Sequence, residues 1–303
     1  PPREAYVERY LAMMAHASSN GRGRGRGGLF AEALACLRET DPDSKVDLTR
    51  RVAADWRAGH LSLDDTTPIE PLDEPGRPER PELVPPRALA KRSAQGGGGT
   101  GKGGGKGRAA LIHAVAHIEF NAINLALDAA WRFPGLPEAY YRDWLRVAAE
   151  EALHFTLLSE HLQALGHDYG DFDAHDGLWA MVERTAGDAT ARMALVPRTL
   201  EARGLDATPP MQARLAKAGD ARAVEILAII LRDEIGHVAV GNRWYRWLCE
   251  RDGHDPLAHY ARLAAQVVRQ GCGRLAATRA GRRATRARCG PGRRNPRHGC
   301  PAA

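Results

Sequence analysis

From Arg108 onward the chain offers four stretches of more than twenty residues in which apolar side chains recur at i, i+3, i+4 and i+7, with almost no strand-like alternation. That period gathers them on one stripe of a helix, and such a stripe has to be buried against another helix. The spacing predicts helices over about 108–131, 137–165, 177–203 and 220–251, and a shorter one near 256–270. Breakers separate them: Pro134-Gly135, Gly166, Gly204 with Pro209-Pro210, and Gly253. Four long helices without strands predict an all-α fold, a four-helix bundle over 108–270.

The rest of the chain reads differently. Residues 1–65 hold a small helical segment, from Leu29 to Arg38 and from a cap at Asp43 or Ser44 to about Trp56. Residues 66–107 read as a Pro/Gly-rich linker, with seven prolines between 68 and 86 and a glycine insert over 96–107. The insert carries Gly96, Gly101 and Lys102 at P-loop spacing. Gly103 stands where Ser or Thr would hold magnesium, and no apolar strand precedes it, so no phosphate site is expected. Residues 271–303 form a basic tail with nine arginines and no acid.

That tail accounts for much of the net charge of +6, because residues 108–270 carry 17 Lys/Arg against 22 Asp/Glu. Nucleic acid is therefore expected as a partner only through the tail. No run approaches the length of apolar residues a membrane helix needs, so no membrane partner is expected and the protein is read as cytoplasmic. Five cysteines without a C-x-x-C offer neither a disulfide framework nor a thiolate metal site.

Two of the predicted helices contain Glu-x-x-His: Glu151 with His154, and Glu234 with His237. Three residues apart on a helix, a carboxylate and an imidazole share a face and can hold one cation together. Each motif lies among leucines, isoleucines or valines, where buried charge needs compensation. Each is also preceded, on the helix before it, by a glutamate at a matching distance: Glu119 lies 32 residues before Glu151, and Glu201 lies 33 before Glu234. The chain thus reads as two helical hairpins, joined by a crossover whose irregular part is 166–177. Together they present four glutamates and two histidines, the ligand set of ferritin-like di-iron bundles.

Glu119, Glu151 and His154 are expected to hold mainly one ion, and Glu201, Glu234 and His237 the other. A glutamate of each motif would bridge. Asp233 and Glu150, which precede the two motifs, are candidates to accept the outer N–H of the histidines. His161 could line a pocket, Arg198 and Arg203 could meet a substrate anion, and His113 and His117 read as packing residues. Two iron ions are expected, with manganese sharing the ligand chemistry.

The stretches HAVAHIEFNAINLALDA (113–129), DWLRVAAEEALHFTLLSEHLQALGHDYGDF (143–172), ARMALVPRTLEARGLD (191–206) and RDEIGHVAVGNRWY (232–245) resemble an uncharacterised bacterial ferritin-like family, domain of unknown function 455. The resemblance covers about 108–260 closely, and 29–60 plus ELVPPR (82–87) more loosely. It implies a ferritin-like fold with the six residues above as metal ligands, and it brings no substrate. The tail from about 271 does not resemble the family's ending. A more distant similarity is to the bacterial tRNA hydroxylase that oxidises a hypermodified adenosine. The expectation is an O2-dependent oxidase or oxygenase acting on a small molecule or a modified nucleoside with an outside electron donor. An iron-handling or peroxide-protective protein and a metal-free or nucleic-acid-associated helical module are the alternatives.

Overall fold

The computed structural model describes residues 27–64, 69, 72–89 and 103–267. The glycine insert up to Lys102 and the basic tail lie outside the described residues. Among these residues, extended structure is limited to a two-residue parallel pair, β1 (Gly27–Gly28) against β2 (Leu61–Ser62), and one bridge between Leu83 and Ala174. The rest of the regular structure is helical. Packing divides the chain into a unit ending at Gly253 and a second beginning at His254. The described part of the second unit is a helix over 256–267, where Asp255 Oδ1 accepts from the N–H of Ala258.

The first unit opens with α1 (Leu29–Arg38) and α2 (Pro42–Arg57). Asp41 caps α2, accepting from the Ser44 N–H at 2.9 Å, and Pro42 occupies the first turn, where no amide partner is missed. Then come α3 (Gly103–Arg132) and α4 (Glu138–Ala164), joined by a tight turn at Gly135, whose φ of 77° suits glycine. Tyr141 pins that turn: its hydroxyl donates to Phe133 O at 2.9 Å and accepts from the Leu136 N–H at 3.0 Å. Residues 103–107, expected as the end of a flexible insert, instead form the start of α3.

α3 is the one described helix long and apolar enough to cross a membrane, over Gly105–Arg132. Its position in the core supplies a different reason for that composition. Ile112, Ala116, Phe120, Ile123, Leu127 and Trp131 are all buried there, between α4 and the N-terminal helices.

The third long helix departs from expectation. After a short α5 (Trp179–Arg184), the chain runs as α6 (Ala189–Leu195), a π-helical turn (Val196–Glu201) and α7 (Ala202–Lys217) without a break. Gly204 and Pro209-Pro210, read as terminators, lie inside α7. Both prolines are exposed, so the carbonyls they free at Leu205 and Asp206 can be met by water. Packing of α7 on α8 (Ala221–Arg251) holds the helix through them. The real stop is Gly219, with φ of 74°, followed by Asp220, which caps α8 by accepting from the Ala223 N–H at 3.0 Å.

α3 packs with α4, α7 with α8, and α4 with α8. The N-terminal helices and the described part of the expected linker belong to the same body. Lys45 of α2 is buried, and its Nζ donates to Leu37 O, Gly76 O and Asn124 Oδ1 of α3. Residues 72–89 act as a strap: Trp179 Nε1 donates to Asp73 O at 2.7 Å, Arg77 forks onto Asp176, and the Val84 N–H donates to Ala174 O.

One buried ion network ties α3 to α6. Asp128 accepts from Arg132 on the next turn and from Arg192, which is 1% exposed and also donates to Thr185 Oγ1 and Val182 O. Asp128→Ala leaves a buried guanidinium without its counter-charge and is expected to cost about 3–5 kcal/mol. Urea unfolding measures this, and adding Arg192→Met should recover part of the loss. A double variant no more stable than Asp128→Ala alone would show that the pair is not what the fold requires there.

Candidate metal centre

The expected residues converge. Glu119 comes from α3, Glu151 and His154 from α4, Glu201 from the end of the π-helical turn, and Glu234 and His237 from α8. Glu119, Glu151, His154, Glu234 and His237 are all buried, and Glu201 is half-buried. One ligand atom each from Glu119, Glu151, His154 and Glu234 lies within 4.8 Å of all the others, a buried group that could hold metal. Glu151 sits at the middle: its Oε2 is 3.2 Å from His154 Nδ1 and its Oε1 is 2.9 Å from His237 Nδ1. His154 Nδ1 also lies 3.4 Å from Glu119, and His237 Nδ1 3.6 Å from Glu234.

The outer nitrogens are held crosswise. His154 Nε2 is 3.1 Å from Asp233 on α8, and His237 Nε2 is 2.8 Å from Glu150 on α4. Each acid preceding one Glu-x-x-His therefore orients the histidine of the other motif. Glu150, like Asp233, is thus paired with a histidine's outer nitrogen. Arginines steady both acids from outside, Arg232 on Asp233 and Arg146 on Glu150.

The third helix needs a special path to deliver Glu201. Pro197 lacks an N–H, and the helix widens there: the Thr199 hydroxyl donates to Ala194 O five residues back. Gly241 on α8 makes room, since a Cβ there would stand 2.5 Å from Pro197 Cβ and Cγ. Pro197, four residues before an expected ligand, is the sequence signal for this turn.

Electrostatics follow from packing so much charge out of water. Burial raises the carboxyls of Glu119, Glu201 and Glu234 above the usual range, helped by Glu151 beside Glu119 and Glu234 and by Glu234 beside Glu201. Burial would raise Glu151 too, but the neighbouring His237 imidazole and the hydrogen bond with His154 outweigh it and hold it well below the usual range. Burial disfavours charge on both imidazoles. Asp233, Glu119 and Glu151 nevertheless raise His154 well above 6.5, and Glu151 and Glu150 do the same for His237. For Asp233, burial is outweighed by His154 and Arg232, which bring it down to about 2.

The inward-facing atoms fit a cation. Glu151 Oε1, Glu201 Oε2, Glu234 Oε2 and His237 Nδ1 are buried without a hydrogen-bond partner. The close approach of His237 Nδ1 to Glu151 Oε1 lacks hydrogen-bond alignment. Three buried carboxylate oxygens and one imidazole nitrogen left without a hydrogen-bond partner are what a cation would satisfy.

Beside these atoms lies a cavity of about 280 Å³ between α3, α7, α8 and the crossover, reached by Glu119, Glu201 and Glu234 and otherwise mostly apolar. The two expected pocket residues lie elsewhere. His161 pairs with Asp220 at 3.0 Å, and Arg198 donates to Asn242 and stacks over Tyr245, because the widened turn points it at α8. His113 accepts from the Gly170 N–H, packing the crossover as expected. His117 bonds Tyr169 and also lines the cavity.

The family described as "Protein of unknown function (DUF455)" matches residues 38–288 of this chain. An uncharacterized protein of Haemophilus influenzae is 52% identical over 211 residues, covering 67% of this chain and 70% of the relative. No solved structure matches significantly. The family match takes in α2 and the strap as well as the helices that carry the six residues. It also runs past residue 270 into the tail that was expected to depart from the family.

A pH dependence follows. His154 and His237 bind their protons more tightly folded than unfolded, so their contribution is whole below pH 6.5 and is lost as pH rises through the folded values. The raised carboxyls act in the same sense from 4.5 upward. Metal-free protein is expected to lose stability as pH rises above about 6.5. Thermal unfolding across that range checks it, and His154→Asn with His237→Asn should flatten the slope; an unchanged slope would refute the assignment.

Proposed function

This chain belongs to the DUF455 family of proteins of unknown function, and we propose that it is a ferritin-like di-iron carboxylate protein acting as an O2-dependent oxidase or oxygenase. In this reading the four long helices form the bundle, and Glu119, Glu151, His154, Glu201, Glu234 and His237 hold two iron ions, with manganese sharing the ligand chemistry. The observation that carries it is the set of buried, unpartnered oxygen and nitrogen atoms at the centre of a doubly carboxylate-braced histidine pair. When bound, iron would supply the electrons that reduce O2.

The residues do the rest. Glu151 reaches both imidazoles with its two oxygens and is the natural bridge. Glu234 lies 3.6 Å from its own His237 and also belongs to the group formed with Glu119, Glu151 and His154, so it would serve ligands of both halves. Asp233 and Glu150 fix the rings and keep their inner nitrogens aimed at the centre. The mostly apolar cavity keeps bulk water from the carboxylates and leaves space for an organic molecule, which favours an oxidase over an iron-handling protein. A cytoplasmic setting and an outside electron donor complete the reading.

Protein loaded anaerobically with Fe(II) is expected to hold about two ions per chain and to change its absorption on exposure to O2. Glu151→Ala should empty both positions. Glu150→Ala should leave the site recognisable but weaken metal binding by about 10–100-fold, because it frees the His237 ring. Metal analysis with optical spectra reads all three. A folded protein that takes up no transition metal would end the proposal.

A further inference from the structure

The cavity beside the carboxylates has two chemically different ends. Inside, the walls are Ala122, Leu125, Leu200, Leu227, Ile230 and Met211, closing on Glu119, Glu201 and Glu234. Toward solvent, Ile118 is 49% exposed, and Arg203, also exposed, lines the same opening. His175, half-buried on the crossover, also lines the cavity. Its Nδ1 accepts from the Gly177 N–H, which in the neutral ring leaves the proton on Nε2 as a donor. Of the two arginines flanking Glu201, only Arg203 lines the cavity; Arg198 is turned to Asn242 and Tyr245.

We infer that the cavity takes a small aliphatic molecule ending in a carboxylate, with the carboxylate on Arg203 and His175 at the mouth and the hydrocarbon end against the buried glutamates. Charge sets this orientation. Arg203 is the one arginine or lysine among the described lining residues, so a ligand carboxylate finds a guanidinium at the mouth, whereas the inner end offers it glutamates and apolar walls. The apolar walls would match a hydrocarbon chain and leave a nucleoside's many polar edges without partners. This deepens the proposed function and rests on its assignment of the three glutamates as the metal-facing groups.

The test uses octanoate, 1-octanol and acetate, titrated by calorimetry into the full chain both metal-free and iron-loaded under anaerobic conditions. Octanoate is expected to bind at least tenfold tighter than 1-octanol or acetate. Arg203→Gln should remove the advantage over 1-octanol while leaving 1-octanol binding unchanged, and Leu227→Trp should weaken both eight-carbon probes. Circular dichroism and metal content of each variant confirm that fold and centre are kept; if Leu227→Trp does not fold, Ala122→Leu takes its place. Octanoate affinity that is unaffected by Arg203→Gln, or that appears only with iron bound, would mean the carboxylate sits at the centre, and overturns the inference. Equal affinity for octanoate and 1-octanol overturns it as well. A chain that binds octanoate as expected but no metal would remove the proposed function and leave the cavity assignment standing.

Discussion

The constraint on which the rest of the structure depends is a cluster of ionisable side chains set among apolar helices. Four glutamates and two histidines cannot sit there as isolated charges, because desolvation would cost more than their packing returns. Burial pushes Glu119, Glu201 and Glu234 toward their neutral forms, while the two imidazoles hold Glu151 toward its ionised form. A cation would relieve the same burial, which is why these residues are both a folding problem and a group that could hold metal.

The crosswise bracing turns two separate motifs into one unit. Asp233 and Glu150 each orient the histidine of the opposite helix, so α4 and α8 must be in register before either imidazole is held. The two inner nitrogens then converge on Glu151. The third helix reaches the same point only by widening at Pro197, and Gly241 supplies the space for it.

Outside the centre, the N-terminal helices and the strap over 72–89 bear on function through support. Lys45 locks Asn124 on the helix that carries Glu119, and Arg77 with Trp179 holds the crossover that closes one side of the cavity. A boundary drawn at residue 107 would therefore remove contacts that set the shape of the pocket, and the family match beginning at residue 38 agrees with the larger unit.

The all-α character and the six converging residues were legible in the sequence, because helical period and i, i+3 spacing act over one or two turns. The matched distances from Glu119 to Glu151 and from Glu201 to Glu234 reflect hairpins of similar length, also a local property. Tertiary structure alone decided the rest. Pro209-Pro210 read as a stop, yet packing on α8 carries the helix through it. Which acid braces which histidine depends on how α4 and α8 are docked, and spacing along one helix holds no information about the facing one. Arg198 and Arg203 flank Glu201 alike in sequence; the widened turn sends one to α8 and the other to the cavity.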